Sequence, residues 1–417
     1  MRTIGEVRKS IESDGCVEVV HRVLDDIEKS PLNDFITVAR EQALSVAEQI
    51  ERNWKEWCDK PLAGIPIAIK DNISTRGIET TCASRILRGY VPPFDATVVE
   101  RLKNAGAIIV GKTNMDEFGM GTTCEYSFIG PTKNPHDLTR VAGGSSGGSA
   151  ATVASGEVPV SLGSDTGGSI RCPASFCGCI GLKPTYGAVS RYGLVAYANS
   201  LEQIGPLSNT ISDLALVFDV IAGWDRRDST TVNVQMNLKE RIESVEGRRI
   251  ALGIPKELSI PDERVQKVLW SVIHSFEESG VDYREVSLPH IEYSLPSYYI
   301  IAMSEASSNL ARFDGMRYGL RTEDTVWYET FSNVRGMGFG EEVKRRIVLG
   351  TFALSKGYQD RYYLKALKVR RVVKMEFERV LNEVDAIITP TMPCQAFRIG
   401  EIKDPLTMYL ADVFTVP

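Results

Sequence analysis

Residues 143–185 read GGSSGGSAATVASGEVPVSLGSDTGGSIRCPASFCGCIGLKPT, with two clusters of Gly, Ser and Thr at Gly143–Ser149 and Gly163–Ser169. A short helix-forming run and the strand-like VPVSLG separate them. Glycine loses more conformational freedom on folding than any other residue, so two such clusters need a physical reason. The usual one is close approach of backbone N–H groups to a ligand, beside hydroxyls that react with it or orient it. A flexible linker would show neither the ordered flanks nor the Ile170-Arg171-Cys172-Pro173 that closes the second cluster. Both loops are expected to be rigid and catalytic.

Upstream, PLAGIPIAIK (61–70) alternates Ile65, Ile67 and Ile69 and ends on Lys70, just before Asp71-Asn72. Open α/β sheets carry their chemistry at the carboxyl ends of strands. A lysine there is a candidate group. Asp95–Ala105 reads as a helix and Ala107–Val110 as a buried strand, so 65–110 forms a βαβ unit. Two motif matches nearby mislead. Gly106–Thr113, GAIIVGKT, fits G-x4-G-K-[ST], but the residues between its glycines are the expected strand and leave no loop to wrap phosphate. Gly143–Gly147 fits G-x-S-x-G, which needs a strand directly before it, whereas PTKNPHDLTRVA reads as loop.

Along the rest of the chain, VRKSIES and VEVVHRVLDDIEK carry apolar residues at helical spacing, broken at Gly15 and stopped by Pro31. After FITV, AREQALSVAEQIERNWKEW reads as one long amphipathic helix. Ser149–Gly156 reads as helix, Val158–Gly163 as strand, and Gly205–Ile221 leads into a further helix. The polar AGWDRRDST (Ala222–Thr230) marks the edge of the core. Beyond it come a strand at 248–254, helices over 263–280 and a mainly helical stretch over 295–382, an insertion of the kind that shapes substrate choice. Within it Lys365, Lys368, Arg371 and Lys374 make a basic stripe, read as a solvated helix face. VDAIITPTMP (384–393) is expected to return to the sheet.

Composition narrows the class. No apolar run approaches the ~18 residues of a membrane span, and the N-terminus, charged with both signs, lacks an apolar signal core. Eight cysteines spread over 417 residues suggest free thiols. The one cluster, Cys172, Cys177 and Cys179, lacks zinc-site spacing and has no histidine beside it, so no metal is expected. A net charge of −6 argues against gripping nucleic acid over a broad basic face. The four histidines, His21, His136, His274 and His290, all lie outside the Gly/Ser clusters, which disfavours a Ser–His–Asp triad.

GGSSGGSAA, GSDTGGSIR and GLKPTYG, with a strand-end lysine upstream, resemble the amidase signature family of serine hydrolases. Within it, MDEFGMG (Met115–Gly121), GLKPTYGAVSRYGLVAYANSLEQIGPL (Gly181–Leu207), RFDGMRYG (Arg312–Gly319) and EVKRRIVLGTFALS (Glu342–Ser355) are similar to the A subunits of tRNA-dependent glutamyl/aspartyl amidotransferases. The similarity runs over almost the whole chain. It implies an α/β fold with a mixed central β-sheet covered by helices and a helical insertion. The expected division is an N-terminal helical segment (1–60), the signature core (61–230), the insertion (231–382) and a return to the core sheet (383–417). In the family, further strands and a helix follow the point where DPLTMYLADVFTVP ends, so a truncated or short chain is expected.

The resemblance also assigns roles. Ser169 is the implied nucleophile, Ser145 the bridging serine on a cis Gly144–Ser145 peptide, and Lys70 the general base. Backbone N–H groups of Thr166, Gly167, Gly168 and Ser169 are implied as the oxyanion hole. The implied substrate is glutamine, with Arg345 taking its α-carboxylate, Asp412 its α-ammonium, and Tyr298 or Tyr299 lining the pocket. Asp165 and Arg171 are expected to pair and brace the turn, and Ser146 to support the bridge. The physics agrees with a lysine base: it must be neutral to accept a proton, which burial favours.

The implied partner is a B subunit, which uses ATP and Mg²⁺ to amidate misacylated Glu-tRNA(Gln) or Asp-tRNA(Asn), with or without a small C subunit. Contact with tRNA is expected mainly through the partner, no cofactor is expected in this chain, and the location is cytoplasmic. Two other readings remain: a stand-alone amidase acting on a small or aryl amide, and a catalytically silent assembly protein. Ammonia release that ignores a partner would mark the first, an unreactive Ser169 the second.

Overall fold

The computed structural model describes residues 2–233, 237–243, 249–257, 259–323 and 326–417. Its N-terminal helices α1 (Ile4–Asp14) and α2 (Cys16–Lys29) meet at Gly15, which takes a φ of 91°. Thr3 and Glu6 form a reciprocal cap on α1, satisfying two of the backbone donors that a helix start leaves free. FITV then forms strand β1 (Phe35–Val38), followed by α3 (Arg40–Arg52) and the single turn α4 (Trp54–Trp57). The long helix expected over 39–57 is therefore two helices, parted at Asn53.

Strand β2 (Pro66–Lys70), helix α5 (Thr97–Asn104) and strand β3 (Ile108–Thr113) build the βαβ unit, and β2 pairs with β3 in parallel. A two-stranded ribbon follows, β4 (Lys133–Asn134) and β5 (Asp137–Val141). The stretch read as loop before Gly143 thus contains both of these strands. They form a separate ribbon outside the central sheet, so they make no nucleophile elbow. Helix α6 (Gly147–Ala154) leads into β6 (Val160–Asp165), then α7 (Arg171–Cys177), β7 (Ile180–Gly181), β8 (Gln203–Ser208) and α8 (Ile211–Ile221).

The central sheet is six-stranded and mixed, ordered β1-β3-β2-β6-β8-β7. β6 lies parallel to β2, so Lys70 and Asp165, the last residues of these two strands, emerge at the same edge. That edge collects both Gly/Ser turns. β2, β3, β6 and β8 are buried at every position.

The second half opens with α9 (Leu238–Glu243), β9 (Ala251–Pro255), α10 (Glu263–Glu278) and β10 (Asp282–Val286). The strand expected from 248 begins at Ala251, and Arg248 lies outside the described residues. Four helices follow: α11 (Ser294–Asn309), α12 (Trp327–Gly338), α13 (Glu341–Leu354) and α14 (Tyr363–Val380). Then come β11 (Ala386–Ile387) and α15 (Pro405–Leu410), capped by Asp404 with Pro405 in its first turn. β11 does not rejoin the central sheet. It pairs with β9 in a separate parallel sheet ordered β10-β9-β11, because Val384 packs with Val286, Leu288, Ile291 and Val380 in a small core of its own. The insertion is thus part sheet, part helix. A further core joins its helices to the first half through Phe118, Tyr197, Tyr298, Tyr299 and Phe339.

Candidate active site

Lys70 has no exposed surface. Its Nζ donates to Ser145 Oγ at 2.7 Å and to the Ser164 carbonyl at 3.1 Å. Burial pushes its pKa down to about 7, with Asp116 and then Asp165 pulling the other way. A lysine in this state can exchange a proton near neutral pH.

The first turn places Ser145 at the end of a cis Gly144–Ser145 peptide. Its neighbour Ser146 ties the two clusters together: its N–H donates to the Ser169 carbonyl at 3.0 Å, its hydroxyl donates to the Ser164 carbonyl at 3.1 Å and accepts the Ser164 N–H at 3.3 Å. Ser169 is buried, and its hydroxyl makes no hydrogen bond to a described residue. The structure therefore brings Lys70 and Ser145 into direct contact, and sets Ser169 beside them through the backbone of Ser146.

The second turn is held by Asp165, which has no exposed surface. Its carboxylate accepts both fork nitrogens of Arg171, Nε at 3.0 Å and a terminal nitrogen at 2.9 Å, and the N–H groups of Ile170 and Arg171. Burial alone would raise its pKa, but Arg171 more than offsets this and holds it well below the usual carboxylate range. Asp165 also accepts the Gly168 N–H at 2.8 Å. That donor is engaged. The N–H groups of Thr166, Gly167 and Ser169 make no hydrogen bond to a described residue, so these three, without Gly168, are the ones free to meet an oxyanion.

The pocket beside this turn takes residues from both halves of the chain, Thr166, Arg171 and Lys183 from the first and Ser297, Tyr298 and Ile301 from the second. The ring of Tyr298 lies against Gly167 and stacks edge-on with Tyr299 at 5.0 Å. Tyr299 donates its hydroxyl to Asp412 at 2.6 Å, and Thr122 donates to the other carboxylate oxygen at 3.1 Å. Burial pushes the Asp412 pKa up to about 6. Tyr298 thus meets the turn itself, while Tyr299 meets Asp412.

Two adjacent arginines of α13, Arg345 and Arg346, sit in different surroundings. Arg345 is 39% exposed and pairs with Glu342, whereas the neighbouring Arg346 side chain is 4% exposed. Arg346 donates to Glu342 at 2.7 Å and to the Tyr197 hydroxyl at 2.8 Å, and its guanidinium lies 5.3–5.7 Å from the rings of Tyr409, Tyr299 and Tyr197. The reason is helical phase: Glu342, Arg346 and Gly350 follow one another at intervals of four on the buried face of α13. That spacing is readable in the sequence and puts Arg346, and not Arg345, on the buried face. Tyr409, Tyr197 and Thr122 carry no such signal, since no local pattern ties them to this cluster.

Other candidates find structural places. Lys112 of the P-loop look-alike is buried in β3 and spends its ammonium on the Ile73 carbonyl at 2.6 Å and Thr80 at 2.7 Å. Cys172 and Cys177 are buried free thiols that donate to the Thr122 and Ala142 carbonyls. His136 bonds the Cys177 carbonyl and His290 pairs with Glu376, away from the serines. No helix among the described residues is long and apolar enough to cross a membrane.

The profile of the family described as Amidase matches residues 18–417. Over its full length the chain is 58% identical to the A subunit of the glutamyl-tRNA(Gln) amidotransferase of Methanosarcina mazei, covering 87% of that protein. It is 56% identical to the protein of the same name from Archaeoglobus fulgidus, over 99% of this chain and 89% of that one. Among solved structures, the A subunit of the Thermotoga maritima glutamyl-tRNA(Gln) amidotransferase superposes with a TM-score of 0.79 at 44% identity, over 100% of this chain and 84% of that one.

Proposed function

The chain belongs to the amidase signature family, and we propose that it is the glutaminase component of a tRNA-dependent amidotransferase. It hydrolyses glutamine through an acyl-serine and supplies ammonia to a B subunit, which amidates misacylated Glu-tRNA(Gln) or Asp-tRNA(Asn). ATP and Mg²⁺ serve that partner, the assembly forms with or without a small C subunit, tRNA is held mainly by the partner, and the complex works in the cytoplasm. The observation that carries the catalytic reading is the contact of 2.7 Å between Lys70 Nζ and Ser145 Oγ, buried beside Ser169.

An amide is a poor electrophile, so its cleavage needs an activated nucleophile, a proton for the leaving nitrogen and a place for the oxyanion. Ser169 Oγ attacks the side-chain carbonyl of glutamine as its proton passes to Ser145 Oγ and the Ser145 proton passes to neutral Lys70. The oxyanion meets the N–H groups of Thr166, Gly167 and Ser169. As the tetrahedral centre collapses, the proton returns from Lys70 through Ser145 to the departing nitrogen and ammonia leaves. Water, deprotonated by the same relay, then frees glutamate from Ser169. Arg346 takes the α-carboxylate and Asp412 the α-ammonium, with Tyr298 and Tyr299 walling the pocket between them.

A stand-alone amidase acting on a small or aryl amide is disfavoured by identity of 58% over the whole chain to a component of an amidotransferase. The test is ammonia release from glutamine by this chain, alone and with a B subunit, ATP and acyl-tRNA. Partner-stimulated release is expected, falling ~10⁴-fold or more in Ser169→Ala and ~10²–10⁴-fold in Lys70→Ala. Release that persists in Ser169→Ala would overturn the mechanism. Preference for other amides, with no response to the partner, would restore the stand-alone reading.

A further inference from the structure

Asp116 lies in MDEFGMG, with no exposed surface, and no step above uses it. Its carboxylate accepts the N–H groups of Cys124 at 2.9 Å and Tyr126 at 3.1 Å. Its own N–H donates to the carbonyl of Ser145 at 3.1 Å. The carboxylate presses on two glycines: a Cβ on Gly144 would overlap Asp116 Oδ2, and one on Gly121 would overlap its Cγ. A buried negative charge is thus fixed against the backbone of Ser145, the residue whose hydroxyl touches Lys70.

The other carboxylate near Lys70 is Asp165, and its charge is matched by the fork of Arg171. Asp116 has no arginine, lysine or histidine within ion-pairing distance among the described residues. An unpaired buried carboxylate is costly unless a compensating charge forms near it. One does. When Lys70 takes the Ser145 proton it becomes a buried ammonium whose contacts, Ser145 Oγ and the Ser164 carbonyl, carry no formal countercharge.

We propose that Asp116 is the fixed counter-charge of the relay, a positioning residue that acts through Lys70 by stabilising the ammonium formed as Ser145 gives up its proton. This rests on the relay from Ser169 through Ser145 to Lys70. The titratable groups facing Lys70 are Asp116, Asp165, Cys82 and Cys124. Those facing Asp116 are Lys70, Glu125, Cys124, Cys172 and Tyr126. The mutual influence has the right sign. After burial, Asp116 is the leading electrostatic effect on Lys70 and raises its pKa, while Lys70 lowers that of Asp116, which burial has pushed up to about 6.

The experiment is the pH profile of glutaminase kcat for the full chain with its B-type partner, comparing wild type with Asp116→Asn. Removing the negative charge makes the Lys70 ammonium less stable. The acid limb is expected to move to lower pH by about one unit, and the plateau to fall about tenfold because the base is weaker. A lower plateau with the limb unmoved would mean that Asp116 only braces the Cys124–Tyr126 loop, and would overturn the proposal. Because Asp116→Asn sets an amide against two N–H donors and can fail to fold, the reciprocal titration is run as well. With ¹³C-labelled aspartate, the Asp116 carboxyl is expected to titrate at higher pH in Lys70→Met than in wild type, and an unchanged midpoint would sink the proposal. Activity surviving in Ser169→Ala would strike the relay itself while leaving this reciprocal measurement to judge the coupling.

Discussion

Lys70 and Arg346 are both buried basic side chains, and the structure treats them oppositely. Lys70 meets one hydroxyl and a carbonyl, and burial drives its pKa down to about 7, whereas Arg346 has Glu342 and a ring of tyrosines and stays charged. Neutral Lys70 is the form that can accept a proton, so kcat/KM for glutamine should rise with pH through about 7 and level above it. A profile flat from pH 5 to 9 would contradict a lysine base. Asp412 must be ionised to hold an ammonium, and its pKa of about 6 adds a second loss on the acid side, seen as a rising KM below that pH. Arg346→Ala should raise KM by ~30-fold or more, the effect of removing one partner of a buried charge pair, with Arg345→Ala within about threefold of wild type. Equal effects would put the carboxylate elsewhere. The catalytic residues are legible because glycine clusters and a strand-end lysine are local signals. The choice between Arg345 and Arg346 is ambiguous in sequence because EVKRR offers two adjacent arginines and only the phase of the helix separates them. Asp412 and the tyrosines come from resemblance alone.

Helices α11 and α13 carry the proposed glutamine pocket between them, Tyr298 and Tyr299 on one and Arg346 on the other. They cross at Gly350, where a Cβ would overlap the Met303 carbonyl oxygen. Gly350→Ala should push the helices apart, lowering stability by ~1–3 kcal/mol and raising KM more than it lowers kcat, since the serine turns lie elsewhere. Denaturant melts and steady-state kinetics on one preparation would check this; a change confined to kcat would contradict it. Elements with strong periodicity are readable from sequence: the alternating isoleucines of β2, the buried β3, the long helices after 294. β5 escapes such a reading because DLTRV is a ribbon strand with its middle residues exposed, lacking an apolar face. β11 joins a different sheet from the one expected. Two residues of strand hold too little pattern to name a partner, and Val384 settles the matter by tertiary packing.

Helices α1, α2 and α3 share one continuous core with the central sheet: Val20, Leu24, Ala47 and Ile50 belong to the same cluster as Ile67, Ile109 and Leu162. The first 60 residues, which read from sequence as a helical segment, therefore contribute to the body of the enzyme as well as a strand to its sheet. Leu24→Ala, a fully buried deletion, should cost ~2–5 kcal/mol and shift one cooperative unfolding transition, with unchanged activity per folded molecule. Loss of α1–α3 as a separate early transition would show instead that they are a loosely attached unit. The division of labour along the sequence reaches beyond this chain. The proposed acylating groups all come from residues 70–169, while all but one of the proposed glutamine-pocket groups, Thr122 excepted, come from 197 or 298–412, most on helices packed against the catalytic edge. A lineage can therefore exchange its diet of amides by rewriting the later stretch and inherit the cutting device unchanged. For an engineer, new substrate preference belongs in a library over α11, α13 and 409–412, with the serine turns held constant.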